Sequence, residues 1–260
     1  METFRRIKAG KLIWVASASD RSADSLSASG RISADNLSAL LCEVMADPEG
    51  FLRDRSRQIK SSRVVTIARV PPNLILRRLN YGKFIHRLRD WFRPSRAMRA
   101  LIASTWLEEA GVRTPRAIAA AEVRLLGWPR TAYLITEEVP DARTLASFFT
   151  SKHKVPTGLA EVIAHLHNSG LSHRDLKWTN ILFDEQLTPW LIDLDGVRRM
   201  GKVPDECARE DLWTLARCFA SHPMTLKWRG SRFLYRYCAL RKQPFKAWAT
   251  ALLRQLQSGV

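Results

Sequence analysis

Short stretches in the first half of the chain are rich in β-branched and other apolar residues, in one case weakly alternating with polar ones, and this pattern predicts β-strands. These stretches lie at residues 11–15, 64–70, 74–79 and 132–139. Pro71-Pro72-Asn73 cannot continue a central strand, so it is expected to turn the chain and pair residues 64–70 with residues 74–79 as an antiparallel hairpin. Between the first two strands, residues 17–38 are rich in Ser, Ala and Asp and predict irregular structure.

Apolar residues take helical spacing at residues 95–110 and again in the second half of the chain. Gly111 follows the first helix at the position where a left-handed residue is favoured, and Gly170 closes a second helix over residues 158–168 in the same way. Two short strands flank the turn at residues 184–186, and most of the chain after residue 210 is predicted to be helical.

Strands therefore come first and helices second, which predicts an α+β fold in two lobes. The boundary is placed after the strand predicted at residues 132–139, where Pro140-Asp141 begins a connector. Residues 1–138 form the predicted N-terminal lobe and residues 139–260 the C-terminal lobe. A chain of 260 residues is long enough for both.

Charge is where the composition departs from that of an average soluble protein. Lys and Arg number 42 against 25 Asp and Glu, a net charge of +17, so the surface attracts anionic partners such as nucleic acid, anionic lipid or phosphorylated sugars. The four cysteines form no CxxC pair, which excludes a zinc ribbon or dithiol site and predicts reduced, buried thiols. No apolar stretch approaches the roughly 20 residues of a membrane span, so a cytoplasmic protein is expected.

The strongest chemical signal is the run LSHRDLKWTNILFDEQLTPWLIDLDG, residues 171–196. It resembles the eukaryotic-type protein-kinase fold, whose catalytic loop reads H-R-D-x-K-x-x-N and whose metal-binding aspartate follows on a later strand. The residues from His173 to Asn180 match that loop at each defining position. Asp193 then follows an apolar strand, where the metal aspartate falls in the family.

The resemblance implies one role for each of these residues, because phosphoryl transfer needs an aligned nucleophile and neutralised phosphate charge. Asp175 is expected to accept or orient the proton of the attacking hydroxyl, and Lys177 to reach the transferring phosphate. Asn180 and Asp193 would supply the hard oxygen ligands that Mg²⁺ prefers, so ATP and Mg²⁺ are the predicted co-substrate and cofactor. Asp195 stands where protein kinases carry the glycine of D-F-G and is a candidate second carboxylate near the metal.

Three histidines and one aspartate near this loop are predicted to be structural. By the resemblance, His173 packs under the metal loop, while His165 and His167 are interpreted as ordinary residues of a helix face. Asp211 resembles a first-turn aspartate that ties down the catalytic-loop backbone in the family. The alternative is a plain first-turn acid beside Glu210.

A resemblance to bacterial lipopolysaccharide core kinases, the heptose and Kdo kinase family, covers residues 63–215. It is carried by LILRRLNYGKFIHRLRDWFRPSRAMRA, LEEAGVRTPRAIAA, AYLITEEVPDARTL and HRDLKWTNILFD. The resemblance implies an ATP-dependent kinase that phosphorylates a heptose or Kdo hydroxyl of the inner core at the cytoplasmic face. The short interval between Asp193 and Asp211, which lacks the A-P-E landmark of protein kinases, favours a small-molecule or sugar acceptor over a protein.

Basic residues alternate with aromatic ones in one stretch of the predicted N-terminal lobe. The stretch contains Lys83, Phe84, His86, Arg87, Arg89, Trp91, Phe92, Arg93, Arg96 and Arg99. This mixture, repeated at residues 227–246, suits peripheral contact with an anionic membrane surface, while solvated helix faces are the alternative. The expected partners are the lipopolysaccharide core, or another anionic sugar, and the inner face of the cytoplasmic membrane. No nucleic-acid motif accompanies the charge.

The resemblance places Arg77, Glu137 and Val139 at the nucleotide, but two features depart from the family. Arg77 stands where the family carries lysine, and no glycine-rich sequence precedes its strand. Because successive strand residues alternate faces, Arg77 is expected to face the nucleotide phosphates and Arg78 the opposite side, exposed or ion-paired. The alternatives are a pseudokinase-like protein that binds an envelope or membrane partner, or a kinase of another small molecule or protein.

Overall fold

A computed structural model describes residues 4–10, 12–17, 34–54, 58–81, 91, 93–150, 158–219 and 230–258. The chain divides into two compact units. The first comprises Met1–Thr105 and Pro115–Glu138, and the second comprises Trp106–Thr114 and Val139–Val260.

The first unit is built on a seven-stranded antiparallel sheet. Its strands are β1 (Phe4–Ala9), β2 (Leu12–Ser17), β3 (Gln58–Ser61), β4 (Val65–Val70), β5 (Leu74–Asn80), β6 (Ala117–Leu125) and β7 (Trp128–Glu137). Its helices are α1 (Ala34–Ala46), α2 (Pro48–Arg53) and most of α3 (Arg96–Glu109). The strands lie in the order β1-β2-β6-β7-β5-β4-β3, so the first two extend the sheet beyond β6.

The predicted hairpin is confirmed, since Val70 of β4 pairs with Leu74 of β5 across the turn at Pro71-Pro72-Asn73. The predicted helix at residues 95–110 is also confirmed as α3, and Gly111 beyond it has the expected positive φ of 70°. Sequence reasoning missed the strands β1, β3 and β6 and the helices α1 and α2. The first turns of α1 fall in the stretch that is expected to be irregular.

One face of the sheet forms the core of the first unit with α1 and α2. Trp14 of β2 is completely buried there, and its Nε1 donates to the carbonyl of Met45 at 3.0 Å. Leu74 and Leu76 lie in the same cluster, together with Tyr133. This packing joins the amino-terminal strands and helices to the central strands.

Arg77 and Arg78 occupy opposite faces of β5, as strand alternation requires. Arg78 lies on the core face, where its Nη1 is 3.1 Å from Glu49 Oε2 of α2. Tyr133 donates its hydroxyl to the other Glu49 oxygen at 2.6 Å, and burial together with this carboxylate raises the pKa of Tyr133. The expectation of an ion-paired Arg78 is confirmed. The contact of Arg77 with a nucleotide stays a prediction.

The second unit combines short strands with helices. Its strands are β8 (Arg143–Thr144), β9 (Leu171–Ser172), β10 (Ile181–Phe183), β11 (Pro189–Leu191) and β12 (Arg198–Arg199). Its helices, besides the end of α3, are α4 (Ser147–Thr150), α5 (Leu159–Asn168), α6 (Asp205–Arg217), α7 (Ser231–Arg241) and α8 (Phe245–Ser258). The predicted strand pair around residues 184–186 is confirmed as β10 and β11.

The four cysteines are all free thiols, and only Cys238 is buried. Burial raises its pKa to about 11. The expectation of buried thiols is therefore confirmed for Cys238 and wrong for Cys42, which is exposed on α1, while Cys207 and Cys218 are only partly buried.

In the part of the chain that the structure describes, no helix is both long enough and apolar enough to cross a membrane.

We predict that Trp14→Phe lowers the free energy of unfolding by about 2 kcal/mol, because it removes ring volume from a closed core and leaves the Met45 carbonyl without its donor. Urea denaturation followed by circular dichroism measures the change. The matched control is Ile13→Ala, since Ile13 is the adjacent strand residue and is 61% exposed. An equal loss in both variants would contradict a core role for Trp14.

Candidate active site

The chain leaves β9 through His173 and Arg174, whose backbone N–H groups both point at Asp211 of α6. His173 donates to Asp211 Oδ2 at 2.8 Å and Arg174 to Oδ1 at 2.7 Å, while the Ser172 hydroxyl donates to Oδ2 at 2.8 Å. Arg174 has a φ of 66°, an uncommon conformation for a residue other than glycine. The predicted role of Asp211 in holding this backbone is confirmed, although α6 begins at Asp205, so Asp211 is not in its first turn.

Asp211 belongs to a buried polar network that sequence reasoning missed. His167 Nε2 lies 3.2 Å from Asp211 Oδ2, and His167 Nδ1 lies 2.6 Å from the Tyr237 hydroxyl. Burial alone would raise the pKa of Asp211, but the hydrogen bonds from His167 and Ser172 and the nearby imidazole charge hold it below its usual value. The interpretation of His167 as an ordinary helix-face residue is wrong, because it is only 1% exposed.

Asp175, Lys177 and Asn180 meet at the end of the same loop. Lys177 Nζ lies 2.7 Å from Asp175 Oδ1, and Asn180 Nδ2 donates to the Asp175 carbonyl at 3.0 Å and contacts its Oδ2 at 3.3 Å. Asp175 and Lys177 remain partly open to solvent, whereas Asn180 is buried. A carboxylate and an ammonium group thus lie side by side on a loop whose preceding backbone is hydrogen-bonded to Asp211.

Asp193 is brought to this loop by the pairing of β10 with β11. The Ile192 N–H donates to the Asn180 carbonyl at 3.0 Å, and the Ile192 carbonyl lies 3.1 Å from His173 Nε2. Asp193 follows with a left-handed φ of 65° and starts a short 3₁₀ turn, Leu194–Gly196. His173 is fully buried, so its predicted structural role beneath the metal loop is confirmed.

The chemistry of Asn180 and Asp193 fits a Mg²⁺ ion. Because the Asn180 amide nitrogen is engaged by Asp175, its Oδ1 is the atom left to act as a ligand, and Asp193 adds a carboxylate. Within the described ranges, no three His, Cys, Asp or Glu side chains gather into a metal cluster. Mg²⁺ sites of phosphotransferases take one or two ligands from protein and the rest from phosphate and water, and the assignment of Asn180 and Asp193 to such a site stays a prediction. A metal role for Asp195, in the same 3₁₀ turn, stays a prediction.

The residues predicted to bind the nucleotide lie outside this loop. Arg77 pairs in register with Leu134 of β7, and Glu137 ends that strand opposite Leu74. Val139 is almost completely buried at the start of the second unit's main segment. Their part in nucleotide binding stays a prediction.

The connection between β3 and β4 runs through Ser62-Arg63-Val64 without glycine. It is closed on itself, because Ser62 N and Oγ both donate to the Val65 carbonyl and the Val65 N–H donates to Ser62 Oγ.

The predicted basic and aromatic stretch falls only partly on described residues. Trp91, Arg93, Arg96 and Arg99 are described, and the other members, at residues 83–89 and 92, lie outside the described part of the chain. Residues 227–229 of the carboxy-terminal stretch lie outside it too.

Comparison with known sequences gives a match to the lipopolysaccharide kinase (Kdo/WaaP) family over residues 53–237. The 3-deoxy-D-manno-octulosonic acid kinase of Vibrio parahaemolyticus is 40% identical over 117 residues, which are 44% of this chain and 48% of the relative. The kinase of the same name from Stenotrophomonas maltophilia is 32% identical over 163 residues, 60% of each chain. The chain thus spans about half the length of the curated relatives it matches.

Two solved structures are similar in fold. WaaP in complex with acyl carrier protein has a TM-score of 0.56 and 18% sequence identity, covering 78% of this chain and 88% of that one. WbdD has a TM-score of 0.52 and 16% identity, covering 76% of this chain and 45% of that one. The likeness shows that the α+β fold is the predicted protein-kinase-like fold.

We predict that Asp211→Asn lowers the free energy of unfolding at pH 7 by about 3 kcal/mol, because an amide cannot accept all the hydrogen bonds of the buried carboxylate. Since the pKa of Asp211 is lowered in the folded state, its contribution is complete above pH 3.8, the usual value, and is lost as the pH falls below it. The stability difference between the two proteins should therefore shrink in acid.

Urea denaturation at a series of pH values measures this difference. Glu206→Gln on the same helix is the matched control, because the Glu206 side chain is 75% exposed and the change should cost less than about 0.5 kcal/mol. A stability difference that stayed constant from pH 7 to pH 3 would contradict the role given to the Asp211 charge.

Proposed function

This chain belongs to the lipopolysaccharide kinase (Kdo/WaaP) family, and on that premise we propose that it is an ATP-dependent kinase of a sugar hydroxyl in the lipopolysaccharide inner core. The observation that carries the proposal is the side-by-side presentation of Asp175 and Lys177 on a loop that also holds Asn180 beside the strand leading to Asp193. This arrangement suits phosphoryl transfer, which depends mainly on positioning and charge.

Asp175 would bind the acceptor hydroxyl and orient or take its proton as the oxygen attacks the terminal phosphorus of ATP, whose bond to the bridging oxygen breaks to release ADP. Lys177, already 2.7 Å from Asp175, would move its ammonium group between that carboxylate and the transferring phosphate. Mg²⁺ bound by Asn180 and Asp193 would supply neutralisation of phosphate charge. The hydrogen bonds that His173 and Arg174 donate to Asp211 keep the backbone before Asp175 in place throughout.

On the nucleotide side, Arg77 would contact the phosphates, and Glu137 and Val139 would contact the base at the end of β7. Arg77 keeps the positive charge of the usual lysine but offers a planar fork instead of a compact ammonium. Arg77 lies on the face of β5 opposite to Arg78, and it is Arg78 that forms the ion pair with Glu49.

We assign 3-deoxy-D-manno-octulosonic acid (Kdo), in preference to heptose, as the acceptor sugar. The curated relatives above carry the name of a kinase of this sugar. The sugar also bears a carboxylate, which a chain of net charge +17 attracts. Because the acceptor is linked to lipid, the enzyme would work at the inner face of the cytoplasmic membrane and bind its surface peripherally.

A pseudokinase-like binding protein is the second candidate, and two observations favour it. Arg77 replaces the usual lysine, and the β3–β4 connection has no glycine and is closed by its own Ser62 hydrogen bonds. Both changes fall on the groups that hold ATP phosphates in kinases.

We predict that the purified protein transfers the γ-phosphate of ATP to a lipid A acceptor that bears Kdo but no heptose. Mass spectrometry of the acceptor measures the product. Asp175→Ala should lower the rate by at least about a hundredfold, because it removes the group that handles the proton. Glu185→Ala, in the exposed turn between β10 and β11, is the control and should keep the wild-type rate.

If phosphate were transferred only to an acceptor that also bears heptose, heptose and not Kdo would be the acceptor sugar. Absence of transfer to either acceptor would rule out the sugar-kinase proposal.

We predict that MgATP raises the melting temperature of the wild-type protein and that Asp193→Ala abolishes this rise, since a ligand that binds the native state stabilises it. Differential scanning fluorimetry with MgATP, and with Mg²⁺ alone, measures the shift. A protein that shows no shift with MgATP would support the pseudokinase, while a shift that survives in Asp193→Ala would contradict the role given to Asp193.

A further inference from the structure

The hairpin between β6 and β7 ends in an exposed apolar turn. Leu125 pairs with Trp128, and the turn residues Leu126 and Gly127 have φ values of 49° and 81°. Such turns strongly favour asparagine or glycine at both positions, so leucine is a poor choice for the backbone. Leu126 is nevertheless 87% exposed and Leu125 57% exposed. Neither turn geometry nor packing against the residues that the structure describes accounts for these two leucines.

Two tryptophans stand at the base of this turn. The rings of Trp91 and Trp128 are in contact, with centroids 4.2 Å apart. Trp91 also lies directly against the turn, because a Cβ atom added at Gly127 would come within 2.7 Å of its Nε1. Indole rings with one apolar side and one polar group favour the boundary between lipid tails and headgroups.

Arg124 holds the turn and the tryptophan segment together. Its guanidinium donates to the carbonyls of Trp91 at 2.9 Å, Gly127 at 3.0 Å and Arg93 at 2.7 Å, and it bonds Glu122 at 2.7 Å. Burial would raise the pKa of Glu122, but the hydrogen bonds from Arg124 and Ser95 and the Arg124 charge lower it overall. The tip is therefore fixed in shape before it meets a partner, which reduces the entropy lost on binding.

The charge around the tip is positive. Arg93 and Arg130 are exposed beside it. The sequence has no Asp or Glu between residues 123 and 131 or between residues 91 and 107, Glu122 is paired with Arg124, and Asp90 lies outside the described part of the chain. An apolar apex, an aromatic base and flanking arginines are together complementary to an anionic bilayer, whose headgroups attract cations and whose interior accepts leucine side chains.

We propose that this tip, formed by Leu125, Leu126, Trp91 and Trp128, inserts into the surface of an anionic lipid bilayer. The leucines enter the acyl region, the indoles lie at the headgroup level, and Arg93 and Arg130 contact lipid phosphates. The inference agrees with a lipid-linked acceptor but does not depend on the proposed kinase activity, because it requires lipid alone.

Flotation of the full chain with vesicles tests the proposal in the absence of ATP and lipopolysaccharide. Wild-type protein is expected to float with vesicles of phosphatidylglycerol and phosphatidylethanolamine and to bind phosphatidylcholine vesicles more weakly. Leu126→Asn should weaken binding to the anionic vesicles about tenfold, the loss expected for one leucine side chain left in water. Asparagine suits a left-handed turn residue, so this variant should keep its fold and its melting temperature.

Leu187→Asn is the matched control, because Leu187 also has a positive φ, 58°, and is 47% exposed, in a turn of the second unit. It should bind vesicles as the wild type does. Replacing both Arg93 and Arg130 by alanine should weaken binding to anionic vesicles and make it less sensitive to salt. The proposal is overturned by wild-type protein that does not float with anionic vesicles, by equal binding to neutral vesicles, or by equal losses in Leu126→Asn and Leu187→Asn. If the protein bound vesicles normally but transferred no phosphate, the proposed kinase function would be contradicted and the proposed membrane contact would stand.

Discussion

The carboxylate of Asp211 accepts the backbone N–H groups of His173 and Arg174, and this interaction sets the direction in which the chain leaves β9. Arg174 is held with a positive φ, so that Asp175 follows on the far side of a sharp bend. Burying a carboxylate is unfavourable unless its oxygens are fully hydrogen-bonded. Here Ser172, His167 and the two N–H groups provide those bonds. The buried Asp211 carboxylate can therefore hold the backbone of the loop that leads to Asp175.

The other half of the site depends on the same support through hydrogen bonds of the backbone. His173 is packed in the interior and its ring contacts the Ile192 carbonyl, while the Ile192 N–H is bonded to Asn180. The position of Asp193 is thereby set by the same loop, from His173 to Asn180, that contains Asp175. A reaction that relies on positioning needs this kind of shared reference, because an error of about 1 Å between groups costs much of the rate.

The first unit is stabilised by its own core. Its first strands and α1 precede the family match, which begins at residue 53, yet they pack on the central strands through Trp14 and Tyr133. Glu49 of α2 also pairs with Arg78 of β5. An element that lies largely before the family match thus supplies the ion-pair partner of Arg78.

Much of the fold and the candidate site was accessible from sequence because the signals are local. The turn at Pro71-Pro72, the helix closed by Gly111 and the spacing from Asp175 to Asp193 each depend on residues close in the chain. Strand alternation was likewise sufficient to separate Arg77 from Arg78. Sequence reasoning missed α1 although Leu37, Leu40, Leu41, Val44 and Met45 repeat at helical spacing, because its first turns lie within a stretch whose Ser, Ala and Asp content indicated irregular structure.

What only the tertiary structure decided are the contacts between residues distant in sequence. Helical spacing puts His167 on the face of Ile163 and Ala164, which was a signal for burial that sequence reasoning did not use. Its polar partners could not be read from the sequence, because Tyr237 and Asp211 are 70 and 44 residues away. Glu49 could not be matched with Arg78, nor Trp91 with Gly127, until the chain was folded. Sequence by itself singled out the residues proposed for phosphoryl chemistry, because that choice depends on residue type and short spacing. The three-dimensional packing determined which charges are buried, paired or left at the surface, because desolvation depends on all the neighbours that folding brings together.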